Sequence, residues 1–169
     1  MAHSVELLLD PEAESAIRGI WAQLSDMGLR SPGPNSRPHV TLVAAERISP
    51  DVDASLSGLV GRLPLDCVVG APMVFGRASL ILVRLLVPSA ALLDVQDAAH
   101  RICAAHASPH IADNTRPGRW TPHVTLARRA GHSELARAMG NATVTREFDA
   151  CIVGLRRWDG DRRSEHLIG

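Results

Sequence analysis

The chain has 169 residues, 46% of them hydrophobic, with 18 basic and 18 acidic side chains and a formal net charge of zero. That length is enough to bury a sizeable core, and the balanced charge argues against a protein whose main work is gripping long nucleic acid with a basic face. No apolar run is long enough to cross a bilayer, and MAHSVELLLD at the start lacks the basic, then long apolar pattern of a signal peptide.

In chain order, VELLLD (5–10) reads as a short buried strand closed by Asp10-Pro11. Residues 11–29 place Ile17, Ile20, Trp21 and Leu24 at helical spacing, with Pro11 in the first turn and Gly28 near the end. RSPGPNSRP (30–38) is a loop by composition, and HVTLVAA (39–45) is a strand. A second helix is predicted over about 50–62, then strands over 63–76 and 78–88 joined at Gly76-Arg77. Residues 89–107 form the clearest helix, with Leu92, Leu93, Val95, Ile102 and many alanines. A polar loop (108–119), a strand (120–129), a short helix (132–139) and one long or two broken strands (143–158) follow, and SEHLIG can close the sheet. Helices do not alternate with single strands, so the pattern predicts an α+β fold with mainly antiparallel sheet. One domain of two similar halves is expected, since no interior stretch resembles a linker.

The three cysteines, Cys67, Cys103 and Cys151, are widely spaced with no CxxC, as expected of buried free thiols in a cytosolic protein. A soluble, cytoplasmic protein with no membrane partner is therefore expected. His100, His106, His110, His132 and His166 match neither HExxH nor a Cys/His zinc pattern, so no metal site is expected.

The distinctive feature is a repeat: PHVTL occupies 38–42 and again 122–126. Side chains alternate along a strand, so His39 and Thr41 share one face while Val40 and Leu42 share the other. His123 and Thr125 do the same in the second copy. If a pseudo-two-fold relates the halves, two His-Thr pairs face each other across a groove. Such a groove suits phosphodiester chemistry without a metal: a histidine can take a proton from the attacking oxygen or give one to the leaving oxygen near neutral pH. Threonine hydroxyls can hold the non-bridging oxygens of the phosphate.

PHVTLV (38–43) and WTPHVTLAR (120–128) resemble the paired HxTx signatures of the 2H phosphoesterase superfamily. Within it, the likeness is to bacterial proteins called 2′-5′ RNA ligase or RNA 2′,3′-cyclic phosphodiesterase, and it spans essentially the whole chain. The resemblance implies a bilobal fold, with two small, mainly antiparallel sheets forming a central groove and helices outside. It also implies an RNA-processing hydrolase without a cofactor, which opens a 2′,3′-cyclic phosphate on a nucleotide or RNA end, usually to a 2′-phosphate. Some members join RNA ends reversibly through 2′-5′ linkages. His39, Thr41, His123 and Thr125 match the motif one for one. By analogy His123 activates water and His39 protonates the departing ribose oxygen, while the pseudo-symmetry leaves the two roles interchangeable from sequence. Alternatives are another small phosphoester as substrate, or a non-catalytic module that binds a nucleotide or RNA end.

Arg128 matches a basic position that contacts phosphate in some relatives, yet strict alternation puts Arg129 on the histidine face unless a bulge intervenes. Arg37, Arg116 and Arg119 lie in loops leading to the motif strands, where they could steer a phosphate. Trp120 has the parity of the core face and would stack on a base only if its strand begins later. Arg128, Arg37, Arg119 and Trp120 are thus the candidate substrate-binding residues. With no tyrosine, two phenylalanines and three tryptophans, base-specific reading of long RNA is not expected, nor is DNA binding.

Overall fold

A computed structural model describes residues 2–169. The strands among them are β1 (His3–Leu9), β2 (His39–Ile48), β3 (Leu65–Phe75), β4 (Leu80–Leu86), β5 (Ala107–Ile111), β6 (His123–Ala130), β7 (Phe148–Asp159) and β8 (Ser164–Ile168). The helices are α1 (Pro11–Asp26), α2 (Val52–Val60), α3 (Ala90–Cys103), α4 (His132–Met139) and the single turn α5 (Ala142–Thr145).

α1 begins where the sequence predicts. Asp10 caps it, accepting the N–H groups of Glu12 and Ala13 at 3.0 Å each, and Pro11 occupies the first turn. Ala13, Ile17, Ile20, Trp21 and Leu24 form its buried stripe. The chain leaves through Gly28 at φ 88°, a backbone region that glycine adopts without steric cost.

Every strand pairing is antiparallel. The expected mixed, two-lobed fold is present, with its two sheets continuous. β5, β2, β1, the second part of β7 and β8 form one lobe, and β6, β4, β3 and the first part of β7 form the other. The 12-residue β7 runs through both: Phe148–Ile152 pairs with β3 and Ile152–Trp158 with β1. Where the lobes meet again, β2 and β6 share a single ladder pair, Val40 with Val124. The helices are exchanged between halves, α1 packing behind β6 and β7 while α3 packs behind β2. The apolar faces meet in one core that includes Ile17, Leu24, Val40, Leu42, Val124 and Leu126.

Two elements differ from the sequence reading. Residues 107–111, read partly as helix end and partly as polar loop, form β5 on the edge of β2, with Ile48 opposite Ala107 and Ala45 opposite Ile111. An edge offers backbone partners whatever the side chains, and the middle residues of β5 stay exposed. At 142–145 the side chain of Asn141 accepts the Thr143 N–H at 2.9 Å and starts a helical turn, so β7 begins only at Phe148. Cys103 is buried as expected; Cys67 and Cys151 are half-buried, and all three thiols are free.

Candidate active site

The single β2–β6 pair joins equivalent residues of the two motifs, since Val40 and Val124 are each the middle of an HVT. An antiparallel pair of equivalent residues has a local two-fold between them. Extending its register by one residue sets His39 opposite Thr125 and Thr41 opposite His123. Val40 and Val124 are buried on the core side, which leaves the two histidines and two threonines together on the groove side. Four side chains thus mark a square with the imidazoles at diagonal corners. One cavity of about 410 Å³ is lined by all four, together with Phe75, Ile81, Asn114, Arg119, Thr121 and Arg128.

Both rings are oriented in the same way. His39 Nδ1 lies 2.8 Å from the carbonyl of Arg37, and His123 Nδ1 lies 2.7 Å from the carbonyl of Thr121. A carbonyl can only accept, so each Nδ1 carries the proton and each Nε2 is the nitrogen left for chemistry. The guanidinium of Arg156 also approaches His39 Nδ1, at 3.4 Å. The proton donated to Arg37 makes that contact a near approach rather than a hydrogen bond.

The surroundings of the two rings break the symmetry. Glu6, on β1, is buried and has one carboxylate oxygen 3.5 Å from His39 Nε2. Arg156 clamps that carboxylate through two nitrogens at 2.6 and 2.7 Å and also donates to Glu165 at 2.7 Å, while the Ser4 hydroxyl donates to Glu6 at 2.5 Å. Opposite Thr41 on the neighbouring strand stands Glu6; opposite Thr125 stands Val83. Around His123 the neighbour is Phe75, edge-on with ring centroids 4.9 Å apart and planes at 83°. Burial holds the His123 imidazole below its usual pKa. The bond to Thr121 opposes this, and the positive charges of His39 and Arg128 reinforce it.

Arg128 reaches the groove through a bulge. Against β4, Thr125 lies opposite Val83 and Ala127 opposite Leu82, so Leu126 is an extra residue. Leu126 and Ala127 are both fully buried, alternation resumes one residue late, and Arg128 takes the groove side. Arg129, which strict alternation favours, has φ 53°. Arg119 also lines the cavity and is exposed. The Arg37 side chain is held by Glu14 of α1 at 3.0 Å and lines an adjoining cleft, and Arg116 pairs with Asp113 at 3.2 Å. Trp120 is not a groove-lining residue: it packs against the core, and its indole N–H donates to the Thr41 carbonyl at 2.8 Å. β6 begins only at His123, so strand alternation does not place Trp120; the bond to Thr41 and the core contacts turn its ring inward.

Glu6, Arg156, Phe75 and Asn114 join the site without having been singled out in sequence. A lone glutamate inside the buried strand HSVELLL was the available signal for the first. Among the described residues the one group with converging metal-ligand atoms is His3, Asp159 and Asp161, which includes neither motif histidine. No helix among the described residues is long and apolar enough to cross a membrane.

The fold is similar to that of LigT from E. coli in its apo form, with 16% identity over 99% of this chain and 94% of that one and a TM-score of 0.57. TT0787 of Thermus thermophilus gives 14% identity over 100% and 96% of the two chains and a TM-score of 0.65. Usb1 of Kluyveromyces marxianus gives 11% identity over 99% and 97% and a TM-score of 0.53. None of the curated proteins compared by sequence matches. The sequence model of the 2′-5′ RNA ligase superfamily matches residues 9–162, a span that contains both motifs, so this chain belongs to the 2′-5′ RNA ligase superfamily.

Proposed function

We propose that the protein is a metal-independent phosphoesterase that opens a 2′,3′-cyclic phosphate on a nucleotide or RNA end by paired histidine acid/base catalysis. The observation that carries the reading is that both imidazoles, each with Nδ1 committed to a backbone carbonyl, line one cavity from diagonal corners. A displacement at phosphorus sets attacking and leaving oxygens on opposite sides of the atom, so its base and acid belong on opposite sides too. The threonines at the other corners, with Arg128 and Arg119, face the non-bridging oxygens where charge accumulates.

In this reading His123 is the base. Its lowered pKa keeps it neutral at pH 7, and Nε2 takes a proton from the attacking water as the new P–O bond forms. His39 Nε2 gives its proton to the ribose oxygen as the P–O bond to it breaks, leaving the 2′-phosphate when that oxygen is O3′. Glu6, 3.5 Å away, provides a carboxylate beside the protonated Nε2. Afterwards His123 carries the extra proton and His39 lacks one, and exchange with solvent resets both. With a ribose 5′-hydroxyl in place of water as the attacking group, the same two proton transfers in the same direction join ends through a 2′-5′ linkage, and their reversal cleaves it, in keeping with the family. The substrate class is supported by the nucleotides that LigT binds in its own crystals, which include 3′-AMP, ATP and NADP+.

The test is hydrolysis of 2′,3′-cyclic AMP by the wild type and by His39→Ala and His123→Ala. Turnover that EDTA does not affect, and that falls by orders of magnitude in each folded variant, supports the reading. Undiminished turnover in both variants overturns it.

A further inference from the structure

Trp120 has no place in the proton transfers, yet its one polar atom is committed across the site. Its indole N–H donates to the carbonyl of Thr41, at 2.8 Å. The next residue, Thr121, supplies the carbonyl that fixes the His123 ring at 2.7 Å. A continuous path therefore runs from the first motif strand to the second imidazole: Thr41 carbonyl, Trp120 indole, the Trp120–Thr121 peptide, Thr121 carbonyl, His123 Nδ1. The ladder does little of this work, because β2 and β6 share only the pair Val40–Val124.

The other half repeats the device by a different route. Trp21 of α1 donates its indole N–H to the carbonyl of Thr125, at 3.0 Å. Glu14 of the same helix holds the Arg37 side chain at 3.0 Å, and the Arg37 carbonyl fixes the His39 ring at 2.8 Å. Each motif threonine thus has its carbonyl held by a tryptophan from the segment that leads to the other motif. We infer that Trp120 is a positioning residue, which sets the orientation of His123 relative to the Thr41 strand and so the spacing of acid and base. Trp21 is its counterpart for the His39 half.

The consequence is specific to one ring. Removing the Trp120 N–H frees the Thr121 carbonyl to move, so His123 loses its fixed tautomer and aim while His39 keeps its own. A misplacement of about 1 Å in a reacting group costs on the order of 100-fold in rate.

The experiment compares Trp120→Phe with a second variant carrying 3-benzothienylalanine at 120, which puts sulfur in place of the N–H at unchanged shape. The imidazole Nδ1–H protons of His39 and His123 are followed by NMR, and kinetics are measured on 2′,3′-cyclic AMP. Trp21→Phe serves as the comparison, because it removes an equivalent bond unconnected to Thr121. Expected is an Nδ1–H of His123 that exchanges at least about tenfold faster in both Trp120 variants, with that of His39 unchanged. Expected too is a kcat about 10–100-fold lower, with KM within about threefold. An unchanged His123 proton, or equal loosening of both rings, overturns the inference. The kinetic arm rests on the proposed cyclic-phosphate reaction and the proton arm does not. A wild type inactive on cyclic phosphates therefore counts against the proposed function, while the proton signals still decide the role of Trp120.

Discussion

Alanine at His39 removes the group assigned to protonate the leaving oxygen. For a ribose leaving group, an alkoxide that needs its proton, losing the general acid costs roughly 10²–10⁴ in kcat, or about 3–5 kcal/mol of transition-state stabilisation. The same change should matter little for a 4-nitrophenyl phosphodiester, whose leaving group departs as a stable anion. His123→Ala removes the base and slows both substrates alike. The asymmetry behind this is structural: Glu6 stands 3.5 Å from His39 Nε2, whereas His123 is enclosed by the edge-on ring of Phe75. The assay is kcat for each variant on 2′,3′-cyclic AMP and on the nitrophenyl ester, monitored by chromatography and by nitrophenolate absorbance. Rescue of His123→Ala by the nitrophenyl leaving group, with none for His39→Ala, would reverse the assignment. Equal losses on both substrates in both variants would refute a division of roles.

His123 must be neutral to act, so the acid limb of kcat/KM should rise with pH through a value below about 6.5; Arg128→Ala, which removes one of the charges that lower it, should move that limb upward in a pH-rate profile. Asp10 accepts the Glu12, Ala13 and Cys151 N–H groups, and although burial raises its pKa these bonds together lower it. Its contribution is therefore present above the unfolded value of about 3.9 and lost as pH falls below it. Asp10→Ala should cost about 1–2 kcal/mol in urea unfolding at pH 7 and much less near pH 2. Arg84 is fully buried and donates to the carbonyls of Val69, Gly70, Val144 and Arg146 at 2.6–3.2 Å. Arg84→Met leaves these without that donor and should lower stability by about 3–5 kcal/mol, or Tm by roughly 10 °C, in a thermal melt.

The doubled HVT was legible because period-two alternation converts spacing directly into a shared face, and the structure places those four side chains in one cavity. Other features depend on neighbours that a linear reading does not see. Arg128 depends on a bulge whose only trace is the register against β4, so alternation alone pointed to Arg129. β5 forms because the edge of β2 was available, and nothing in ASPHI demands a strand. Glu6 and Arg156 lie 150 positions apart and meet because β1 and β7 are neighbours. Arg37 and Trp120 stand beside the motifs in sequence, and their polar atoms are turned to Glu14 and to the Thr41 carbonyl. Loop arginines and tryptophans near a site have several partners within reach, and the sequence carries no record of which one wins.

The central claim is that one phosphate sits between the two imidazoles. A crystal structure of the protein with a nucleoside 2′-phosphate tests it most directly. The account predicts one phosphate within hydrogen-bond distance of Nε2 of both His39 and His123 and of both threonine hydroxyls. A phosphate held by one ring only, or bound outside this groove with the histidines empty, would contradict it.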